Sequence, residues 1–154
     1  MKKLYYFLIF LVINFGGLAI GSWLMNDGPT STWYISLNKA PWTPAGWVFG
    51  FAWTTIMICF SWYLTELFAL RASKFLWALF GFQLVLNVSW NWFFFNQHLV
   101  TSALIVISML TLVMCYYFIT FRSNRLKNGK YMLLPYIIWL FIATSLNAYI
   151  VLNN

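Results

Sequence analysis

Long apolar stretches separated by short polar segments run along the whole chain of 154 residues. Five of these stretches are long enough, as α-helices, to cross the ~30 Å hydrocarbon core of a bilayer. The pattern therefore predicts an all-α integral membrane protein, a bundle of five transmembrane helices forming a single domain over residues 1–154. The predicted helices cover about residues 4–25, 46–70, 75–95, 99–121 and 132–152, and a long structured loop joins the first two.

The composition supports a lipid environment. Hydrophobic residues make up 63% of the chain and charged residues only 7%, with a positive mean hydropathy of +0.78. Because so few polar side chains cannot cover an ordinary water-exposed surface, lipid must be the main solvent. The first apolar stretch follows only two lysines and has no small-residue cleavage site before Trp23, so we interpret it as a retained helix and not as a removed signal.

Basic residues are distributed unevenly between the two sides of the predicted bundle. Only Lys39, in the first loop, lies on one side, and the other eight lysines and arginines lie on the opposite side. By the positive-inside rule, this asymmetry predicts a multi-pass protein of the cell membrane with a cytoplasmic N-terminus, and with the first loop and the C-terminus outside. The net charge of +7 is then a consequence of topology and does not indicate a nucleic-acid partner. The eight residues are Lys2, Lys3, Arg71, Lys74, Arg122, Arg125, Lys127 and Lys130.

The loop between the first two helices is the most distinctive part of the chain. At about twenty residues it is long for so small a protein, and loops of this kind are usually functional. The sequence from Thr32 to Thr54 contains four tryptophans, a tyrosine and two prolines, a composition typical of a shaped aromatic lid. The predicted hairpin therefore implies a pocket beneath it.

Polar residues recur at helical spacing within two of the predicted spans. Gln83, Asn87 and Asn91 follow one another at four-residue steps on the third helix, with Trp90 beside them. Because amides are costly in lipid, this stripe is expected to face the bundle interior. A second inward stripe of Trp139, Ala143 and Asn147 is predicted on the fifth helix, and with Trp53 of the second helix the two stripes form one candidate pocket.

A simpler interpretation of these residues stays open. The amides then only hydrogen-bond one helix to another, at roughly 0.6 kcal/mol each, and the tryptophans only pack or anchor the interface. We favour the interfacial interpretation for Trp23, Trp62 and Trp77, which lie near helix ends. The pocket interpretation is favoured for the tryptophans that share a helix face with small residues and amides, namely Trp53, Trp90 and Trp139.

The sequence gives little support for a conventional catalytic site or a metal site. The only acids are Asp27 and Glu66, in different segments, which excludes a site with paired carboxylates. Glu66 is expected to pair with Arg71 or Lys74. The single histidine, His98, is expected to be a solvated loop residue, so neither a catalytic triad nor axial haem ligation is predicted. No metal ligands are predicted, because Cys59 and Cys115 lack metal-site spacing and are interpreted as small apolar core residues.

Three segments carry a family resemblance. The first is Trp33-Tyr34-x-x-Leu37-x-Lys39 with Pro41-Trp42-x-Pro44, followed by Trp47, Gly50 and Trp53. The second is Leu86-Asn87-x-x-Trp90 with Phe94-Phe95, and the third is Pro135-Tyr136-x-x-Trp139-x-x-x-Ala143-Thr144-x-Leu146-Asn147. Together they resemble the signature of the translocator protein family, also called tryptophan-rich sensory proteins or peripheral-type benzodiazepine receptors. The resemblance covers nearly the whole chain and is of the bacterial type.

The resemblance implies a five-helix bundle, often a homodimer, whose first loop caps a pocket for porphyrins and haem precursors. Synthetic isoquinoline carboxamides and benzodiazepines bind the same pocket in the family, and no resident cofactor is expected. Some bacterial members promote light-dependent breakdown of protoporphyrin, which would make Trp53 and Trp139 a photochemically active pair. The ligand-binding residues carried over by matching positions are Tyr34, Trp42, Pro44, Trp53, Asn87, Trp90, Trp139, Ala143 and Leu146.

Part of the chain departs from the family pattern. Many members have a basic residue shortly after the Leu-Asn of the fifth helix, in a proposed cholesterol motif. Here Leu146-Asn147 is followed by Ala148-Tyr149 and no Lys or Arg remains, so cholesterol binding at that point is not expected.

A porphyrin is a flat aromatic disc with two carboxylates at one edge, and its site needs stacking rings, a few hydrogen-bond donors and a cation. Lys39 is a candidate for that cation, or it extends to lipid headgroups instead. Three functions therefore compete: a porphyrin receptor, a photo-oxidative porphyrin-degrading enzyme and a transporter. The transporter is the least supported, since neither inverted repeats nor broken helices are evident.

Small residues at three- or four-residue spacing suggest where helices approach closely. Gly17-x-x-x-Gly21, Gly46-x-x-x-Gly50 and Ala78-x-x-Gly81 each permit such contact. We expect a homodimer, with Ala78 and Gly81 as a candidate dimer face.

Overall fold

The computed structural model describes residues 2–121 and 129–154. In these residues the chain is all-α, and five helices are long and apolar enough to cross a membrane. The predicted fold class is therefore confirmed. The basic turn residues Arg122, Arg125 and Lys127 lie outside the described residues. The long helices are α1 (Lys2–Leu24), α3 (Gly46–Arg71), α4 (Lys74–Asn91), α5 (Val100–Thr120) and α6 (Leu134–Asn153), and a short α2 (Thr32–Ser36) lies within the first loop.

The five long helices form a closed ring. Helix α1 packs against α3 and α4, α5 packs against α4 and α6, and α6 returns to α3. Because successive long helices run in opposite directions, the connections between them lie alternately at the two ends of the bundle. We call the end that carries Lys3, Arg71 and Lys130 the basic end, and the end covered by residues 25–45 the hairpin end.

The half of the bundle nearer the basic end is filled by aromatic side chains. Phe10 of α1 lies 4.8 Å from Phe68 and 5.3 Å from Phe80, measured between ring centroids. Phe60 lies 5.4 Å from Tyr136, and these five rings are at most 3% exposed. Such a core is packed at close to crystal density, so a ligand site of any size must lie nearer the hairpin end.

Buried hydrogen bonds connect neighbouring helices. Asn14 of α1 donates to Ser61 of α3 over 2.9 Å, and the Thr111 and Thr144 hydroxyls of α5 and α6 lie 3.3 Å apart. Side-chain hydrogen bonds between membrane helices average roughly 0.6 kcal/mol, so each one fixes register more than it adds stability. The helix-to-helix role of buried polar groups, one of the two interpretations from the sequence, therefore applies at these positions.

Glycines bring α1 close to α4. A Cβ atom on Gly17 would lie 2.6 Å from Leu84 Cδ1, and one on Gly21 would lie 2.7 Å from Asn91 Nδ2. This pair therefore makes a close contact within one chain. Gly46, Gly50 and Gly81 have open space where a Cβ would be, so these glycines make no close helix contact among the described residues. The expected homodimer, which would need such small residues at its interface, stays a prediction.

The prediction that Glu66 pairs with Arg71 or Lys74 was wrong. Its carboxylate accepts from Lys3 Nζ at 2.8 and 2.9 Å, and not from Arg71 or Lys74. The reason is geometric, because residues five apart on a helix lie on different faces, so Arg71 points away from Glu66. Helix α1 runs antiparallel along the Glu66 face of α3 and brings its N-terminal turn within reach.

The tryptophans assigned to the membrane interface are exposed: Trp23 by 78%, Trp62 by 52% and Trp77 by 41%. Trp77 also packs against Phe68, with ring centroids 4.7 Å apart.

Cys59 and Cys115 are free thiols and only half-buried, so they are less enclosed than the sequence suggested.

Candidate functional site

The first limb of the hairpin is anchored on the end of α4. The chain turns at Gly28, whose φ of +48° suits glycine, and Ser31 then caps α2 by accepting from the Tyr34 N–H at 3.2 Å. Beneath α2, the chain after α4 forms one π-helical turn, Trp92–Asn96. Trp33 and Tyr34 of α2 contact that turn through Phe94 and Phe95, with ring centroids 5.6 and 5.4 Å apart.

The second limb is attached to α6. The backbone of Asn38 exchanges two hydrogen bonds with the Asn154 side-chain amide, at 2.8 and 3.2 Å. Trp42 Nε1 donates to Ser145 Oγ at 3.1 Å, and its ring meets Tyr149 edge-on. The hairpin therefore extends from α4 to α6 across the end of the bundle, which is the position expected of a lid.

An apolar cluster lies under the first limb, and we call it the hairpin-end cluster. Its buried members are Phe94, Phe95, Ala103 and Ile150. Two of the predicted ligand-binding residues pack against it, and these are Tyr34 and Trp90. Partial burial of Tyr34 raises the pKa of its hydroxyl, so the phenol is neutral at physiological pH and acts as an uncharged hydrogen-bonding group.

Trp90 connects this cluster to the rest of the interior. Its ring stacks on Phe94 with centroids 5.3 Å apart and planes 19° from parallel, and it also contacts the main core. With the Asn147 amide oriented to satisfy both of its polar atoms, Asn147 accepts from Trp90 Nε1 at 3.2 Å and donates to Val100 O at 3.0 Å. One buried amide thus ties α4 and α6 to the first turn of α5.

A second aromatic group lies along the contact between α3 and α6, and it contains the predicted residues Trp53 and Trp139. We call it the α3–α6 seam: Phe49, Trp53, Tyr136 and Trp139. The Trp139 ring is 6% exposed and meets Phe49 edge-on at 5.2 Å, while the half-buried Trp53 ring meets Tyr136 at 5.8 Å. Both tryptophans therefore have an aromatic partner on the facing helix.

Small and polar side chains flank this seam. Ala143 and Leu146 follow Trp139 on the inward face of α6 and are each 8% exposed. Gln83 Nε2 donates to the Tyr136 hydroxyl at 2.9 Å, and the Asn87 side chain faces the same hydroxyl. Gln83 Oε1 is buried and has no partner in the described part of the chain.

The nine predicted ligand-binding residues thus fall into three places. Tyr34 and Trp90 belong to the hairpin-end cluster, and Trp53, Asn87, Trp139, Ala143 and Leu146 belong to the α3–α6 seam and its flank. Trp42, 54% exposed, and Pro44, half-buried, lie on the hairpin outside both groups. Among the described residues, Trp90 packs both against the hairpin-end cluster and against the main core to which Tyr136 and Trp139 belong, so it connects these two parts of the interior.

Two residues have roles that the sequence analysis did not anticipate. Lys39 Nζ donates to the carbonyls of Tyr34 and Ile35 at 2.9 and 3.1 Å, so it caps the C-terminus of α2. His98 is exposed, as expected for a loop residue, but its ring stacks on Trp33 with centroids 4.0 Å apart. Both residues therefore hold α2 in place.

Phe49 and the π-helical turn were also not anticipated. Phe49 lies four residues before Trp53, a spacing that places both rings on one face of α3, so the signal was present. No sequence pattern predicted the π-helical turn.

An open cleft of about 310 Å³ at the hairpin end lies between the start of α5 and the end of α6, and it is lined by His98, Ser102 and Asn154 among others. None of the nine predicted residues lines it.

Comparison with known proteins agrees with this architecture. The profile of the TspO/MBR family matches residues 8–152. The chain is 31% identical to the tryptophan-rich sensory protein of Cereibacter sphaeroides, over 92% of this chain and 86% of that one. It is also 31% identical to protein CrtK of Rhodobacter capsulatus, over 75% of this chain and 74% of that one. Identity to the tryptophan-rich protein TspO of Bacillus cereus is 30%, over 75% and 76% of the two chains.

Proposed function

Because this chain belongs to the TspO/MBR family of multi-pass membrane proteins, we propose that it binds porphyrins and related tetrapyrroles inside the bundle, beneath the hairpin. It then acts as a membrane receptor for these pigments, and synthetic isoquinoline carboxamides and benzodiazepines are expected to compete for the same site. The observation that carries the proposal is the interior surface from Tyr34 through Trp90 to Trp139, covered by a hairpin attached at both limbs.

The chemistry of this surface suits a tetrapyrrole. Trp90 and Trp139 provide aromatic rings for stacking, and the small side chain of Ala143 follows Trp139 on the inward face of α6. Asn87 and Gln83 provide polar atoms in an otherwise apolar interior, and the unpartnered Gln83 Oε1 accepts a hydrogen bond from a ligand donor. Lys39 already caps α2, so ligand carboxylates extend toward water at the rim.

Entry requires one limb of the hairpin to open. The contacts of the second limb are hydrogen bonds of exposed residues, such as Trp42 to Ser145 and Asn38 to Asn154. The contacts of the first limb bury Phe94 and Phe95. Because exposed hydrogen bonds exchange readily with water, the second limb opens while α2 stays in place.

Spectral titration of the purified protein with protoporphyrin IX tests the proposal. Trp139→Phe and Trp53→Phe keep most of the stacking area, so each lowers affinity by about tenfold or less, at roughly 0.5–1.5 kcal/mol per aromatic contact. Trp23→Phe is the matched control, because Trp23 is 78% exposed on α1. If all three variants bind like the unchanged protein, the pigment binds elsewhere.

Light-dependent breakdown of the bound pigment is the second candidate function. The observation that favours it is the presence of two indoles, Trp53 and Trp139, in the α3–α6 seam. Phenylalanine is much harder to oxidise than tryptophan, so both variants then lose bleaching under illumination far more than they lose binding. Binding without bleaching in the unchanged protein would leave the receptor function and exclude the enzyme.

The orientation in the membrane and the oligomeric state complete the proposal. The basic end lies in the cytoplasm, which its five described cations support by the positive-inside rule. The protein is a homodimer, supported by open space beside Gly81 next to the exposed Ala78 on α4. Mass photometry of the protein in lipid nanodiscs tests this assembly, and a monomer would exclude it.

A further inference from the structure

Cations at the basic end greatly outnumber the acids that could neutralise them. The chain has nine basic residues but only two acidic ones, and both acids lie in the described residues. Asp27 belongs to the hairpin, at the opposite end, and Glu66 is engaged by Lys3. Arg71 and Lys130 therefore have no carboxylate partner in this chain.

These two cations are nevertheless held in defined places. Arg71 is the last residue of α3, and its guanidinium carbon lies 5.7 Å from the centre of the Phe121 ring. Lys130 Nζ lies 5.0 Å from the centre of the Tyr131 ring, on a 3₁₀ turn (Gly129–Leu133) that packs against α3. A cation above an aromatic ring directs only part of its N–H groups at the ring face, so the remaining donors stay available for another acceptor. The ends of α3 and α5 and the start of α6 thus present two oriented cations.

The surroundings indicate what compensates this charge. The site lies at the ends of membrane-spanning helices, at the depth of lipid headgroups. Beside it, Tyr116 packs against Phe121 and is 41% exposed, and Tyr131 is 51% exposed. Oriented cations next to exposed aromatic surface suit a molecule that has both an anionic group and an apolar chain. Topology during insertion explains why cations occur on one side, but not why two of them are fixed on rings.

We propose that Arg71 and Lys130 form a binding site for an anionic phospholipid of the adjacent leaflet. The guanidinium binds the phosphate diester through two N–H donors, the Lys130 ammonium provides a second positive charge, and an acyl chain lies along Tyr116 and Tyr131. The site is independent of the pigment site, because it lies at the other end of the bundle and shares no residue with it.

Native mass spectrometry of the full-length protein, with phosphatidylglycerol or phosphatidylcholine added to the detergent, measures the binding. We expect preferential binding of phosphatidylglycerol that weakens in high salt. Each cation contributes about 1 kcal/mol next to an anionic lipid, which corresponds to about fivefold in affinity. The variant R71Q/K130Q therefore binds about 25-fold more weakly, and Arg71→Lys, which keeps the charge without the planar fork, falls in between.

The matched control is K2Q/K74Q, which removes the same charge from exposed residues of the basic end outside the site. It is expected to weaken binding less than threefold. Equal losses in the two double variants would show a diffuse field and overturn the site. Equal binding of both lipids, or displacement of phosphatidylglycerol by an equal concentration of soluble glycerophosphoglycerol, would overturn the lipid assignment. Circular dichroism checks that each variant is folded, and the single variant Arg71→Gln repeats the comparison at one exposed position.

Discussion

Replacing Asn147 with leucine tests how the interior is held together at the hairpin end. Leucine has the same number of side-chain heavy atoms as asparagine and the same branching at Cγ, so the change removes two hydrogen bonds with a small change of shape. Asn147 is 2% exposed, so water cannot take the place of the amide. Trp90 Nε1 loses its acceptor at 3.2 Å, and the Val100 carbonyl loses its donor at 3.0 Å.

The two losses differ in size. The Val100 carbonyl begins α5 and still accepts a hydrogen bond within the helix, so its loss is close to the average of roughly 0.6 kcal/mol for membrane proteins. The Trp90 N–H has no other partner among the described residues, and an orphaned buried donor costs about 1–3 kcal/mol. The sum is a destabilisation of about 1.5–3.5 kcal/mol.

Reversible unfolding in mixed micelles with increasing dodecyl sulfate measures this difference. Asn153→Leu is the control, since Asn153 lies on the same helix but is exposed, and its hydrogen bond to Tyr149 O can be replaced by water. We expect the control to stay within about 0.5 kcal/mol of the unchanged protein. An Asn147→Leu protein as stable as the control would refute the bridging role of this amide.

Three further predictions follow from the packing and the topology. Gly17→Leu is expected to destabilise the bundle by about 1–3 kcal/mol in the same assay, because α4 fills the space beside Gly17, whereas Gly16→Leu, on the exposed face of the same helix with open space beside it, changes it little; the opposite order would contradict the α1–α4 contact. Trp42→Phe removes the hydrogen bond to Ser145 and is expected to speed both association and release of protoporphyrin in stopped-flow mixing, and unchanged rates would exclude opening at the second limb. In a background without Cys59 and Cys115, a cysteine replacing Ala72 is expected to react only with reagents on the cytoplasmic side, and one replacing Asn38 only from outside, so reversed labelling would overturn the proposed orientation.

Much of the fold could be predicted because the signals are local and strong. A long apolar stretch has few alternatives to a membrane helix, and the i, i+4 spacing placed side chains on the correct face. Trp139, Ala143 and Asn147 are at most 8% exposed, as the stripe on the last helix predicted, and Gln83 and Asn87 are also buried. Asn91, the third amide of its stripe, is only half-buried and lies against Gly21 of α1.

The remaining features depend on contacts between distant segments. Glu66 meets Lys3 only because α1 packs along one particular face of α3, and sequence proximity suggested closer cations instead. The short helix α2 is too short to be stable alone and depends on Ser31, Lys39 and the π-helical turn that it covers. The separation of the predicted residues between the hairpin-end cluster and the α3–α6 seam likewise depends on how the helices cross, which spacing along one helix does not specify.

Enlarging the small side chain next to Trp139 tests the central claim, that a porphyrin binds inside the bundle, most directly. The measurement is the equilibrium titration of protoporphyrin IX into folded protein carrying Ala143→Leu, compared with Ala69→Leu, which adds the same atoms to an exposed position on α3. We predict saturable binding by the unchanged protein and by Ala69→Leu, and loss of at least tenfold in affinity in Ala143→Leu. Equal affinities in all three proteins, or uptake that never saturates, would contradict a porphyrin site beneath the hairpin.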